Sequence, residues 1–395
     1  MKKRTPKSCA SFLLLVVMCF QLTATAYAAS VKPDDTATRE NVLEVLRQYD
    51  ADAYHILTTA SGLDFMIWFM GGSIISGMDT AVHETYHLYT FSQNSGFYGE
   101  RIYIGDGKSY DVDYSIVYQG GPFTKTEEMA KQIPAQLRTF RYGEYVAPGA
   151  DPDANTKGVF GLLNEFTAYY WGLETMNSLA QFLIDSDAGA SAWKPYVTSI
   201  GNNLTAYAEF KYWTLRYMLY IKSANPTLYQ EILDNKNYCA AYRDADAAFS
   251  AEIERSREII NRSAEYMRTK DFSVDWSVSE IKLVTNSSGS LGGGITVSFG
   301  TGTDLEDYNA LMAELETAEY REMDAVLKGT PSQPTGTEGI SFTDVPEWCA
   351  AAVSWAVEKG ITNGTGAGNF SPDRVCSRGE IITFLYRSQV QSLGK

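Results

Sequence analysis

Histidine is nearly missing from this chain of 395 residues, which holds three: His55, His83 and His87. Cysteine is scarce as well. Of five, Cys9 and Cys19 fall in the N-terminal segment, and Cys239, Cys349 and Cys376 are too few for a disulfide scaffold. Positive charge is in short supply: 33 Lys and Arg stand against 48 Asp and Glu, a formal net charge of −15. Such a balance excludes electrostatic affinity for nucleic acid or anionic lipid. Long apolar runs are absent beyond the N-terminal segment. The most apolar stretch, Leu63 to Ile75, is interrupted by Asp64, Gly71, Gly72 and Ser73. It is expected to form a buried helix and a turn, not a membrane span.

The N-terminal segment carries an address. Lys2, Lys3, Arg4 and Lys7 precede the short apolar core Phe12 to Phe20, and Ala26-Tyr27-Ala28 offers small residues where a signal peptidase cuts. Residues 1–28 therefore read as a secretory signal peptide. Cys19 lacks the small-residue context of a lipid-modified cysteine. Cleavage after Ala28 removes four positive charges, leaves a net charge of −19 and leaves no transmembrane segment. The mature chain is long enough for two or three domains.

Helical periodicity dominates the mature chain. Thr38 caps an amphipathic helix through Val42, Leu43, Val45 and Leu46. Further helices are expected over 76–90, 126–140, 159–185, 191–223, 225–235, 240–269 and 304–327. Alternating β-formers flank Gly105-Asp106-Gly107 between Glu100 and Tyr118, a hairpin signal. A second β-rich segment, 272–299, surrounds the turn SSGSLGGG. Residues 146–158 read as a loop, and the numerous tyrosines and tryptophans as core. The Pro/Gly/Thr-rich stretch 329–340 reads as a linker between domains. The fold class expected is mainly α, with small β-hairpins (α+β).

Two of the three histidines stand in His83-Glu84-Thr85-Tyr86-His87. Residues four apart share one face of a helix, so both imidazoles can reach one ion, and zinc accepts nitrogen ligands in tetrahedral geometry. Glu84, beside the first ligand, can serve as general base toward a water at the metal. A third ligand is required. Thr90 and Gln93 stand where a G-x-x-H or G-x-x-D continuation would need Gly and His or Asp, and no histidine follows His87. A glutamate on another helix is left. Glu165, in the apolar run Gly161-Leu162-Leu163-Asn164-Glu165-Phe166, is the leading candidate, because an unpaired carboxylate there would be costly and a metal would satisfy it. Glu100, Glu127, Glu128 and Glu144 remain open as alternatives, and His55 is expected to be structural. A donor to the oxyanion is also needed. Tyr169 and Tyr170 lie nearby in sequence, with neither singled out.

HETYH together with Asn164-Glu165 resembles the two motifs of gluzincin metallopeptidases. The resemblance covers those motifs only, and the spacing between them is longer than in thermolysin-like enzymes. It implies a zincin-like domain over 29–328, with Zn²⁺ held by His83, His87 and Glu165 and a peptide or protein as substrate. An acidic residue often orients the first histidine from four positions after the glutamate in that group; here the position is Tyr169.

Residues 341–388 resemble one S-layer homology repeat. The likeness runs through Phe342-Thr343-Asp344-Val345, Trp348, Ala352-Val353-Ser354-Trp355-Ala356-Val357, Lys359-Gly360-Ile361-Thr362-Asn363-Gly364, Phe370-Ser371-Pro372-Asp373 and Ser377-Arg378-Gly379-Glu380. It implies a small helical module that binds a secondary cell-wall polymer on a Gram-positive-type surface. Arg378 matches the arginine that contacts the polymer. Cys349 and Cys376, the only cysteines of the module, are expected to pair. The combined expectation is a secreted, surface-tethered zinc peptidase. The alternative is a non-catalytic adhesin or wall-structure protein whose metal is structural.

Overall fold

The computed structural model describes residues 31–60, 63–94, 98–119, 123–150, 152–285 and 300–329, with scattered positions between 342 and 384. The signal peptide, the linker beyond Gly329 and Arg378 lie outside the described residues. The chain divides into two compact units, Met1–Met323 and Asp324–Lys395.

The first unit is mainly helical with two small antiparallel sheets. Its helices are α1 (Arg39–Tyr49), α2 (Ala51–Thr59), α3 (Met78–Ser92), α4 (Val159–Asp185), α5 (Ala190–Ala224), α6 (Pro226–Asp234), α7 (Lys236–Thr269) and α8 (Glu306–Leu315). A ninth, α9 (Ala318–Leu327), crosses the division between the units. Single-turn helices fill Leu63–Ile67, Thr126–Ala130, Tyr142–Tyr145 and Pro152–Thr156.

The centre is α4. Its sequence is apolar around the whole circumference, and 21 of its 27 residues are buried. A helix of that kind needs partners on every side. The helices α3, α5 and α7 all pack against it. By contrast α7 buries one stripe, from Tyr238 through Tyr242, Phe249, Ile253 and Ile260 to Met267, and turns its charged face outward. Trp171, Trp193 and Trp213 are fully buried, so the aromatic residues do build the core.

Strands β1 (Gly99–Gly105) and β2 (Lys108–Asp113) form the expected hairpin. Gly105, Asp106 and Gly107 all take positive φ at its turn, where glycine and aspartate are tolerated best. The second sheet has the order β3-β4-β5, with β3 (Phe272–Trp276), β4 (Glu280–Thr285) and β5 (Gly300–Asp304).

Several expectations need correction. The stretch 126–140 is α-helical only over Thr126–Ala130, with a separate 3-10 turn at Ala135–Leu137. Pro134 lies between the two; it disfavours helical backbone at the residue before it and donates no N–H. The acidic helix 304–327 is two helices, α8 and α9, broken at Glu316 and Thr317. Within 272–299, β3 and β4 are joined by an additional turn at Ser277–Ser279; the expected turn SSGSLGGG lies outside the described residues, and β5 pairs with β4 on its far side. The expected loop 146–158 contains the turn Pro152–Thr156.

Two glycines position α3 and α4. Gly77 precedes α3 with φ +75°, and a Cβ there would stand 1.9 Å from the carbonyl oxygen of Phe69. Gly161, in the first turns of α4, lets the backbone of Asp153 approach to 2.3 Å of where a Cβ would be.

In the second unit, Asp344 accepts hydrogen bonds from the backbone N–H groups of Phe370 (2.8 Å) and Ser371 (2.7 Å). The rings of Phe342 and Phe370 lie 5.5 Å apart. The two short motifs around these residues are thus held together. Cys349 is a free, buried thiol whose Sγ lies 3.5 Å from the carbonyl oxygen of Pro346. The thiol turns back to the carbonyl three residues earlier, and the expected pairing rests on Cys376. Cys376 itself lies outside the described residues.

Candidate metal centre

Helix α3 carries HETYH, and its spacing puts His83 and His87 one above the other. Helix α4 crosses beside it and presents Glu165. The Nε2 atoms of the two histidines are 3.1 Å apart, and Glu165 Oε2 lies 3.4 Å from that of His83 and 3.5 Å from that of His87. Among the described residues this is the one group of three ligand-type side chains close enough to share an ion. Glu165 is buried, and its Oε2 has no hydrogen-bond partner. Bonds of about 2.0–2.1 Å at a tetrahedral angle place two zinc ligands about 3.3 Å apart. The three separations match that figure, and the orphaned oxygen points where such an ion would sit. The residues present fit zinc.

Charge at the site obeys the same geometry. Burial opposes ionisation of Glu165, but the imidazoles beside it prevail and hold the carboxyl below its ordinary range. For His87, burial opposes the charged form; Glu165, with Asn164 as a further hydrogen-bond partner, overcomes this and raises the imidazole to about 9.

Asn164, the residue before the carboxylate, proves as informative as Glu165. Its Oδ1 accepts a short hydrogen bond from His87 Nδ1. With Nδ1 carrying its proton, Nε2 keeps a lone pair for the ion. The Asn164 amide then donates to Thr90 Oγ1 (3.0 Å) and Glu100 Oε2 (2.5 Å). Glu100 in turn accepts from Lys157 Nζ (3.0 Å) and the Tyr114 hydroxyl (3.1 Å). Glu100, one of the rival ligands, thus stands one residue removed from the site and is neutralised by a buried lysine. Glu127 bonds Asn155, Glu128 caps the N–H of Lys125, and Glu144 is exposed at the cleft rim. His55 packs between Tyr89 and Tyr103, away from the cluster.

Tyr169 packs the edge of its ring against His83, with centroids 4.4 Å apart. Its hydroxyl accepts from Arg141 Nε (3.0 Å) and meets the Tyr145 hydroxyl at 3.1 Å. Arg141 is buried and also donates to Glu209 Oε2 (2.8 Å) and the carbonyl oxygen of Asn202 (3.2 Å). Tyr170 faces the other way and bonds the Ile104 carbonyl.

A cleft of about 850 Å³ opens in front of His83, His87 and Glu165, with Glu84, Leu88, Phe91 and Tyr145 among its walls. A smaller hollow of about 160 Å³ lies on the other side of His83 and Glu84, against Arg141 and Tyr169. Glu84 and Tyr145 line both. Burial, with Glu165 nearby, pushes the Tyr145 hydroxyl above the usual tyrosine range, so it stays protonated and available as a donor. Sequence reasoning missed Asn164, Arg141 and Tyr145. The Asn-Glu pair was a signal for the first. No local pattern distinguishes the other two.

A family model described as the S-layer homology domain matches residues 341–382. No curated protein and no solved structure matches the chain. No described helix is long and apolar enough to cross a membrane. The C-terminal part of the chain therefore carries an S-layer homology domain, which implies association with the cell surface or cell wall.

Proposed function

We propose that this chain is a cell-surface zinc peptidase, anchored by its S-layer homology domain to a secondary cell-wall polymer of a Gram-positive-type envelope. One observation carries the reading: the orphaned carboxylate oxygen of Glu165 converges with His83 and His87 at zinc-ligand separations, with Glu84 facing the same cleft. Bound zinc would supply Lewis acidity and make water acidic enough to lose a proton near neutral pH. Glu84 takes that proton as the water oxygen bonds to the peptide carbonyl carbon. It then passes the proton to the leaving nitrogen as the C–N bond breaks, giving a carboxylic acid and a free amine. Tyr145 donates its hydroxyl hydrogen to the carbonyl oxygen, where negative charge develops. Asn164 keeps His87 in the binding tautomer throughout.

The test is elemental analysis of the purified chain alongside digestion of a peptide library by wild type and Glu84→Gln. The expected result is about one zinc per chain in both, with hydrolysis lost in the variant. Absence of a transition metal after chelator-free preparation would sink the reading. A zinc-loaded chain that cleaves nothing would favour a surface protein with a structural metal.

A further inference from the structure

We infer that Arg141 and Tyr169 are positioning residues that aim the Tyr145 hydroxyl hydrogen into the cleft. The inference rests on the peptidase reading and adds to it a donor relay that begins at a buried cation.

Hydrogen-bond accounting sets the direction. The Tyr169 hydroxyl has one hydrogen and two lone pairs. Arg141 Nε donates to it at 3.0 Å, which occupies a lone pair. The neighbouring hydroxyl is that of Tyr145, at 3.1 Å. If Tyr145 donated to Tyr169, the Tyr169 hydrogen would be left without a partner beside the His83 ring. If Tyr169 donates to Tyr145, the hydrogens on Arg141 Nε and on Tyr169 are both matched. The one unmatched hydrogen is then on Tyr145, which lines both hollows beside Glu84. The second arrangement costs no buried donor.

Arg141 has little freedom to do otherwise. Its Nη1 is tied to Glu209, its Nη2 to the Asn202 carbonyl, and its guanidinium lies 4.8 Å from the centre of the Tyr169 ring. A positive charge at the head of a chain of hydroxyls polarises each bond in turn and makes the last one a better donor. Tyr169 also touches His83 directly. It therefore connects the metal site to the donor through a single side chain.

A double-mutant cycle on the zinc-loaded full chain tests this, using Tyr145→Phe, Tyr169→Phe and the pair. Both single substitutions keep the ring and remove only the hydroxyl, so folding is preserved. Tyr145→Phe should lower kcat by about 100-fold. Tyr169→Phe should lower it by about 10-fold, with KM and zinc content unchanged. The pair should be no worse than Tyr145→Phe alone. Calorimetric binding of a phosphinic peptide, a tetrahedral mimic, should weaken in parallel, while binding of the cleaved products should not. Arg141→Lys, which retains the charge beside Glu209 but not the fork, should behave as Tyr169→Phe does. Full activity and phosphinate affinity in Tyr169→Phe would overturn the relay and leave the peptidase reading intact, as would additive losses in the pair. A wild-type chain without zinc or hydrolysis would overturn both.

Discussion

Asn164 accepts a hydrogen bond from Nδ1 of His87, while Glu165, the next residue, faces the other nitrogen of the same ring. A single turn of α4 thus supplies both the proposed third ligand and the group that fixes the tautomer of the proposed second. Asn164→Ala should lower zinc affinity by about 10- to 100-fold without altering the ligand set. Competition against a chromophoric chelator measures this. Unchanged affinity would show that the amide contributes nothing to the site.

Lys157 and Glu100 form a buried ion pair one residue behind that amide. Removing one partner leaves an uncompensated charge inside the protein. Lys157→Met should cost about 3 kcal/mol in stability. Adding Glu100→Gln should recover most of the loss. Chemical denaturation of the single and double variants decides; equal stability of the two would refute the pairing as the cause.

Gly161 leaves no room for a side chain against the backbone of Asp153. Since backbone on both sides must yield, Gly161→Ala should destabilise the chain by about 1–3 kcal/mol. The gain in helix propensity, about 1 kcal/mol, offsets only part of the strain. A thermal melt that rises in this variant would contradict the close approach.

Asp244 on α7 is only partly buried, and burial by itself would raise its carboxyl. Hydrogen bonds with Arg243, Lys108 and Tyr110 outweigh that and lower it to about 2. A depressed carboxyl stabilises the fold above its unfolded value, near 4, and that contribution disappears as the pH falls through about 2. Acid unfolding should accordingly steepen between pH 4 and 2. Asp244→Asn should flatten that slope and lower stability at neutral pH; an unchanged acid profile would show the link from β2 to α7 to be idle.

Asp344 gathers the N–H groups of Phe370 and Ser371 in the S-layer homology domain. Asp344→Ala should release that contact and weaken co-sedimentation of the full chain with polymer-bearing cell walls. Arg378→Ala should weaken it without loosening the module. Walls stripped of the polymer should not retain wild type. Equal retention by stripped walls would point to a different anchor.

The sequence by itself determined the long helices, the β1–β2 hairpin and the S-layer homology domain. Their signals are local: apolar periodicity, a Gly-Asp-Gly turn and motifs in unbroken order. It determined His83, Glu84 and His87 as a set because four-residue spacing is a property of one helix. It also brought Glu165 forward, since a carboxylate in so apolar a helix needs a partner. Tertiary structure decided the rest. Whether Glu165 or Glu100 reaches the histidines depends on how α4 crosses α3, and Lys157 claims Glu100 across 57 residues of chain. Arg141 and Tyr145 bracket a single-turn helix too short to show a periodicity, and their meeting with Tyr169 exists only because α4 and α5 close around it. Such contacts arise from the packing of distant segments, which no spacing along the chain encodes.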